Sequence, residues 1–216
     1  MKIISIQVGL PREVEWQGKL VSTGIFKDPV PGPLLLRGFN LAGDGQADLS
    51  VHGGERKAVY GYGADAYPWW KKTIPGTDFP WGAFGENLTF AELDEKKICA
   101  GDIYRLGSAE LQVTEPRFPC FKLGIKYGDM KVIKTFLDSR RSGVYFRIHK
   151  EGMVDRGDEL QLLHGDPARV SIYDFYNGYN EKTKDRALLK QFLKVKSLTP
   201  RWRGKFEELL KRATEN

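Results

Sequence analysis

Only two cysteines, three histidines and three methionines occur in the 216 residues. Two cysteines, Cys99 and Cys120, build neither a disulfide framework nor a CxxC redox or zinc motif, a pattern that points to a reducing cytoplasm. His52, His149 and His164 have no metal-ligand spacing, which argues against a protein-only zinc site. No apolar run approaches the length of a membrane span. The opening MKIISIQVGLPREVEW lacks the apolar stretch and cleavage site of an export signal. These absences predict a soluble cytoplasmic protein without membrane contact. Familiar loops are missing too. Gly61-Tyr62-Gly63 has no third glycine, and neither a GxxxxGK phosphate loop nor a GxSxG nucleophile elbow is present, so nucleotide hydrolysis and serine-esterase chemistry lose support.

What is present begins with charge and its placement. The net charge is +6. Residues 168–216 hold 12 Lys/Arg against 6 Asp/Glu, while residues 1–167 hold 22 of each sign. A basic tail on a neutral body suits an anionic partner, nucleic acid or an acidic protein. The length allows one substantial domain with a small appendage. A break at Gly165-Asp166-Pro167 predicts a boundary between residues 1–167 and 168–216.

Before that boundary the pattern is mainly β. Ala109-Glu110-Leu111-Gln112-Val113-Thr114 alternates at period two. Further strands are predicted at Ile3 to Val8, Leu34 to Leu36, Ala58 to Tyr62, Ile103 to Leu106, Val144 to His149 and Glu159 to Leu163. Many short strands parted by Gly turns indicate a barrel or sandwich. Two covering helices are expected, Ala64 to Lys72 and Met130 to Leu137, the second capped by Asp129. Beyond Ser171 the spacing turns helical. Ser171, Asp185 and Thr199-Pro200 mark the starts of three helices.

The residue most suited to chemistry is Cys120, in Pro116-Arg117-Phe118-Pro119-Cys120-Phe121-Lys122. Two prolines stiffen the stretch, which is predicted to be an exposed loop. Arg117 and Lys122 favour the thiolate, the form that attacks or ligates metal. Cys99 has no such setting and is read as core. Three other segments hold candidates. His52-Gly53-Gly54-Glu55-Arg56-Lys57 combines a glycine turn with cations that suit a phosphate. Glu86 and Asn87 follow Gly85, and Asn87 can both donate to and accept from a heterocycle edge. Lys27 precedes Asp28-Pro29 and is a further phosphate candidate.

HGG at 52–54, KAVY at 57–60, FGENLT at 84–89, GDIYRLG at 101–107 and the cysteine loop occur in the order of the MOSC domain family. The chain resembles that family over about residues 20–163. Residues 168–216, ending LTPRWRGKFEELL, resemble the three-helix appendage of its YiiM-type subgroup. The resemblance implies a MOSC-type β-barrel with a few covering helices and a small three-helix C-terminal domain. It implies a molybdenum cofactor (molybdopterin) ligated through Cys120, with Lys27, His52, Gly53, Gly54, Lys57, Glu86, Asn87 and Arg117 as cofactor contacts. The family also carries an association with pyridoxal phosphate. The activity implied is reduction of small N-hydroxylated compounds such as hydroxylaminopurines, with electrons from a separate electron-transfer protein. A sulfur carrier using a Cys120 persulfide is the alternative. Nucleic-acid binding through the basic tail is disfavoured because Trp202 and Phe206 are expected to point inward. The chain is expected to be a monomer or homodimer. Arg56 stands where YiiM-type relatives usually carry an acidic residue.

Overall fold

Apolar side chains at every second position start the long strand from Ala109 and turn one of its faces to the core. The computed structural model describes residues 1–49 and 53–215. Its strands are β1 (Ile3–Val8), β2 (Arg12–Trp16), β3 (Lys19–Thr23), β4 (Asp28–Val30), β5 (Leu34–Arg37), β6 (Asn40–Leu41), β7 (Val59–Gly63), β8 (Leu88–Phe90), β9 (Ile103–Leu106), β10 (Ala109–Pro116), β11 (Val144–Lys150), β12 (Gly152–Val154) and β13 (Gln161–His164). The helices are α1 (Tyr67–Thr73), α2 (Phe121–Tyr127), α3 (Lys131–Ser139), α4 (Ile172–Asn180), α5 (Arg186–Phe192) and α6 (Pro200–Glu215).

Eight strands form one sheet in the order β13-β9-β10-β11-β7-β8-β1-β4, with β7 and β8 parallel and the other pairs antiparallel. This corrects the expected barrel. The order has two ends, both short strands, so the fold is mixed α/β around a large open sheet. The start of β1 meets the segment before β13, where Ile3 N donates to Asp158 O (2.9 Å) and Leu160 N to Met1 O (3.0 Å). The ladder there is a single bridge, Lys2 to Glu159, and does not close. A small sheet β12-β5-β6 and the hairpin β2-β3 complete the strands. The hairpin turns at Gln17 (φ 52°) and Gly18 (φ 73°), two residues with left-handed backbone between antiparallel strands.

Three apolar clusters lie among the described residues. One fills the sheet, with Ile6, Leu88, Leu111, Val144 and Phe146 wholly buried. A second is aromatic and lies beneath α1–α3. Trp70 there packs 4.7 Å from Phe84, centroid to centroid, and its indole N–H donates to Tyr62 Oη at 2.7 Å. The third gathers α4–α6 around Phe175, Phe192, Trp202 and Phe206, and includes Ala100 from the body. Capping residues start these helices as the sequence signals. The Ser171 hydroxyl accepts from Asp174 N, Asp185 from Ala187 N and Leu188 N, and Thr199 from Trp202 N at 3.2 Å.

Candidate functional site

Strand β10 carries the chain straight into the cysteine segment. Arg117 is buried and Phe118 to Cys120 are half-buried, so the segment is not the exposed loop that its prolines suggest. The reason is Phe118. Its ring stacks on Tyr176 of α4 at 4.9 Å and lies 5.4 Å from Trp202 of α6, so the C-terminal helices pack on the loop from outside. Cys120 has extended backbone (φ −125°, ψ 173°) and is the residue from which α2 begins, its carbonyl accepting from Leu123 N at 2.9 Å. It is not joined to Cys99 by a disulfide. Burial pushes the Cys99 thiol up to about 11, with Asp102 adding to the effect, which suits an inert core residue.

Cys120 faces a cleft that also receives Lys27, Asp44, Gln46, Lys57, Tyr60, Asn87, Arg117, Lys122 and Tyr145. The cavity measures about 100 Å³, and about 690 Å³ when the space open to solvent is counted. Four cationic side chains face one carboxylate, so the lining favours an anion. Arg117 donates from Nη1 to the Phe84 carbonyl, and its guanidinium lies 4.9 Å from the Tyr60 ring centroid. Burial opposes its charge. Tyr60, Tyr145 and Cys120 around it outweigh that and hold Arg117 above the ordinary arginine range. Burial in turn pushes the Tyr145 phenol up to about 12, against the pull of Arg117.

The other cations have internal partners. Lys27 pairs with Asp44, and the two side chains are 6% and 3% exposed. Desolvation lowers the Lys27 pKa, and Asp44 counteracts it. Asp44 also accepts from Gly9 N (2.8 Å) and Asn87 Nδ2 (2.9 Å). Asn87 Oδ1 accepts from Tyr60 N at 3.1 Å, so both ends of that amide are engaged within the fold. Lys57 Nζ lies 3.4 Å from Glu115 Oε1, whose other oxygen accepts from the Trp202 indole N–H at 2.8 Å.

The fold therefore brings Lys27, Lys57, Asn87, Arg117 and Cys120 to one cleft. It places three other candidates differently. Glu86 is wholly buried away from the lining, accepting from Gly82 N (2.7 Å), Phe84 N (3.0 Å) and the Tyr67 hydroxyl. It shapes the loop before β8. Gly54 (φ 85°) turns its N–H onto Gln46 Oε1 at 2.6 Å, and a Cβ on Gly53 would lie 2.3 Å from that same oxygen. The glycine turn thus seats a glutamine of the cleft wall. His52 lies outside the described residues. Sequence reasoning missed Asp44, Gln46, Tyr60 and Tyr145, and read Lys122 only as a cation beside the thiol. Asp44 follows Gly43 and reads as a turn residue; only its long-range partners reveal it.

An open mixed sheet that presents a half-buried thiol to a cation-lined cleft defines the class. The MOSC domain model matches residues 48–161. The uncharacterized protein YflK of Bacillus subtilis is 38% identical over 205 residues, 94% of this chain and 92% of that protein. A protein of Gibberella moniliformis named "Reductase" is 36% identical over 149 residues, 68% of this chain but 26% of its own length. The crystal structure of YiiM from Geobacillus stearothermophilus superposes with a TM-score of 0.78 at 33% identity, covering 97% of this chain and 98% of that one. The chain belongs to the MOSC domain family. Within it, the chain is a YiiM-type MOSC protein.

Proposed function

We propose that this chain is a molybdenum-cofactor-dependent reductase of N-hydroxylated compounds, with Cys120 as the protein's ligand to the metal. The observation that carries the reading is the Cys120 thiol on a cleft lined by four cations and one carboxylate. Family linkage to molybdenum-cofactor enzymes and the fungal relative's name support it at a coarser level.

The residues fit such a group. A thiolate is a soft donor suited to a sulfur-rich metal centre, and the cationic lining suits the phosphate of a pterin. Among the described residues no group of three His, Cys, Asp or Glu converges on a metal. The remaining ligands in this reading therefore belong to the cofactor. When bound, the cofactor would supply the two-electron chemistry by which R–NHOH, two electrons and two protons become R–NH2 and water. The protein's share is positional and electrostatic. Cys120 fixes the group, and Arg117, charged and buried beside it, favours the thiolate. Tyr145, kept protonated by burial, offers a hydroxyl to the bound ligand. Lys27, Asp44 and Asn87 form one wall, with Lys27 acting through Asp44 rather than as a ready anion contact. Lys57 lines the cleft as well, held by Glu115 from outside the lining.

Electrons come from a separate electron-transfer protein in this reading. The fungal relative matches this chain over only 26% of its length, which leaves most of that protein for other parts. The basic stretch 168–216 suits an acidic donor. The test is metal and pterin analysis, with mass spectrometry of Cys120, on protein made in a host that synthesises the cofactor. Molybdenum and pterin near one per chain support the reading. A persulfide on Cys120 without molybdenum would replace it with sulfur transfer.

A further inference from the structure

Three of the four cations on the cleft are already committed. Lys27 faces Asp44, Lys57 faces Glu115, and Arg117 donates to the Phe84 carbonyl. Lys122 differs from all three. It stands in the first turn of α2, two residues past Cys120, and is 9% exposed. It lines the cleft, yet its ammonium group has no hydrogen-bond or ion-pair partner among the described residues. Its nitrogen is not among the buried atoms that lack a partner, so its stem is buried while its head reaches the open space.

Placing a fourth cation beside three others, in a cleft with a single carboxylate, costs free energy through repulsion and desolvation. An anion in the cleft removes that cost. We infer that Lys122 is the principal protein contact for a phosphate monoester group bound in the cleft next to Cys120. Such a group carries close to two negative charges and several strong acceptor oxygens, which match the three donors of an ammonium. The inference deepens the reading above, because it concerns the same cleft, but it does not require the metal. The phosphate can belong to the pterin cofactor or to a phosphorylated substrate.

The experiment titrates inorganic phosphate into the cofactor-free full chain at low ionic strength, followed by calorimetry. Wild type is expected to bind, and Lys122→Gln to bind at least about tenfold more weakly, the loss of one charge-assisted hydrogen bond. Lys122→Arg is expected to recover most of the affinity, and Lys72→Gln, a change at an exposed surface lysine, to leave it unchanged. Thermal unfolding of each variant confirms that it is folded. No binding by wild type, or equal binding by folded Lys122→Gln, overturns the inference. Two further arms separate the sources. Loss of pterin from Lys122→Gln on gel filtration assigns the phosphate to the cofactor. Retained pterin with a raised KM only for phosphorylated substrates assigns it to the substrate, and neither change overturns the inference. Phosphate binding through Lys122 in a protein that never holds molybdenum removes the reductase reading alone. Molybdenum on Cys120 with a phosphate-indifferent Lys122→Gln removes this inference alone.

Discussion

Asp44→Ala probes the wall of the cleft most sharply. The substitution removes the carboxylate that pairs with Lys27 and accepts from Gly9 N and Asn87 Nδ2. Lys27 is left as a charge with a 6% exposed side chain. Removing one partner of a buried pair costs about 3–5 kcal/mol, because the other charge remains uncompensated. At roughly 2–4 °C per kcal/mol for a chain of this size, the midpoint of thermal unfolding is expected to fall by about 10 °C. The cost has a signature. Burial already lowers the Lys27 pKa, and loss of Asp44 lowers it further. The unfolded chain then binds the Lys27 proton more tightly than the folded one, so the variant gains stability as pH rises toward 10.5. The loss relative to wild type is therefore smaller at pH 9 than at pH 6. Adding Lys27→Met should recover about 2 kcal/mol by deleting the stranded charge. Guanidinium unfolding of the two single variants and the double variant measures all of this. A loss under about 1 kcal/mol for Asp44→Ala, or strict additivity in the double variant, would refute the argument.

Other predictions rest on separate contacts. Glu86→Ala leaves Gly82 N, Phe84 N and the Tyr67 hydroxyl without their buried acceptor and should cost about 3 kcal/mol or more in denaturant unfolding, as a structural residue would. Trp202→Phe keeps the ring but removes the N–H that serves Glu115; a loss of about 1–3 kcal/mol and faster amide exchange in residues 115–120 are expected. Glu95 accepts from Ser142 N and Gly143 N, yet desolvation outweighs those bonds and raises its carboxyl to about 7. The folded state thus holds this proton more tightly than the unfolded state, so its contribution is most favourable below pH 4.5 and declines as pH rises through 7. Glu95→Gln should therefore flatten the fall in stability between pH 5 and 8 by about 2–3 kcal/mol, measured by urea unfolding at both pH values.

Local signals were legible in the sequence, and long-range partnerships were not. Alternation in Ala109-Glu110-Leu111-Gln112-Val113 is written into β10, and the caps Ser171 and Asp185 act within three residues of themselves. Cys120 stood out through its proline and cation neighbours. Helix α2 did not, because Pro119 and Gly124 read as breakers. Gly124 instead lies inside α2 where it passes Met130, whose sulfur would lie 2.3 Å from a Cβ. Short strands left barrel and sandwich open and the family resemblance implied the barrel; closure depends on whether the chain start and residues 157–160 zip into a ladder, and they form one bridge. The cation roles were hidden for a similar reason. Lys57 meets Glu115 across 58 positions, and Lys27 meets Asp44 across 17, so the sequence displayed the charges without their partners.

Molybdenum content per chain, compared between wild type and Cys120→Ala from a cofactor-producing host, tests the central claim most directly. Both proteins must show the same unfolding midpoint, so that loss of metal is not loss of fold; the helix-start bond from Leu123 N goes to the Cys120 backbone carbonyl, which the substitution keeps. The account predicts near-unit molybdenum and reduction of a hydroxylaminopurine by a chemical electron donor in wild type, with both lost in Cys120→Ala. Equal molybdenum and equal reduction in the two proteins would contradict it.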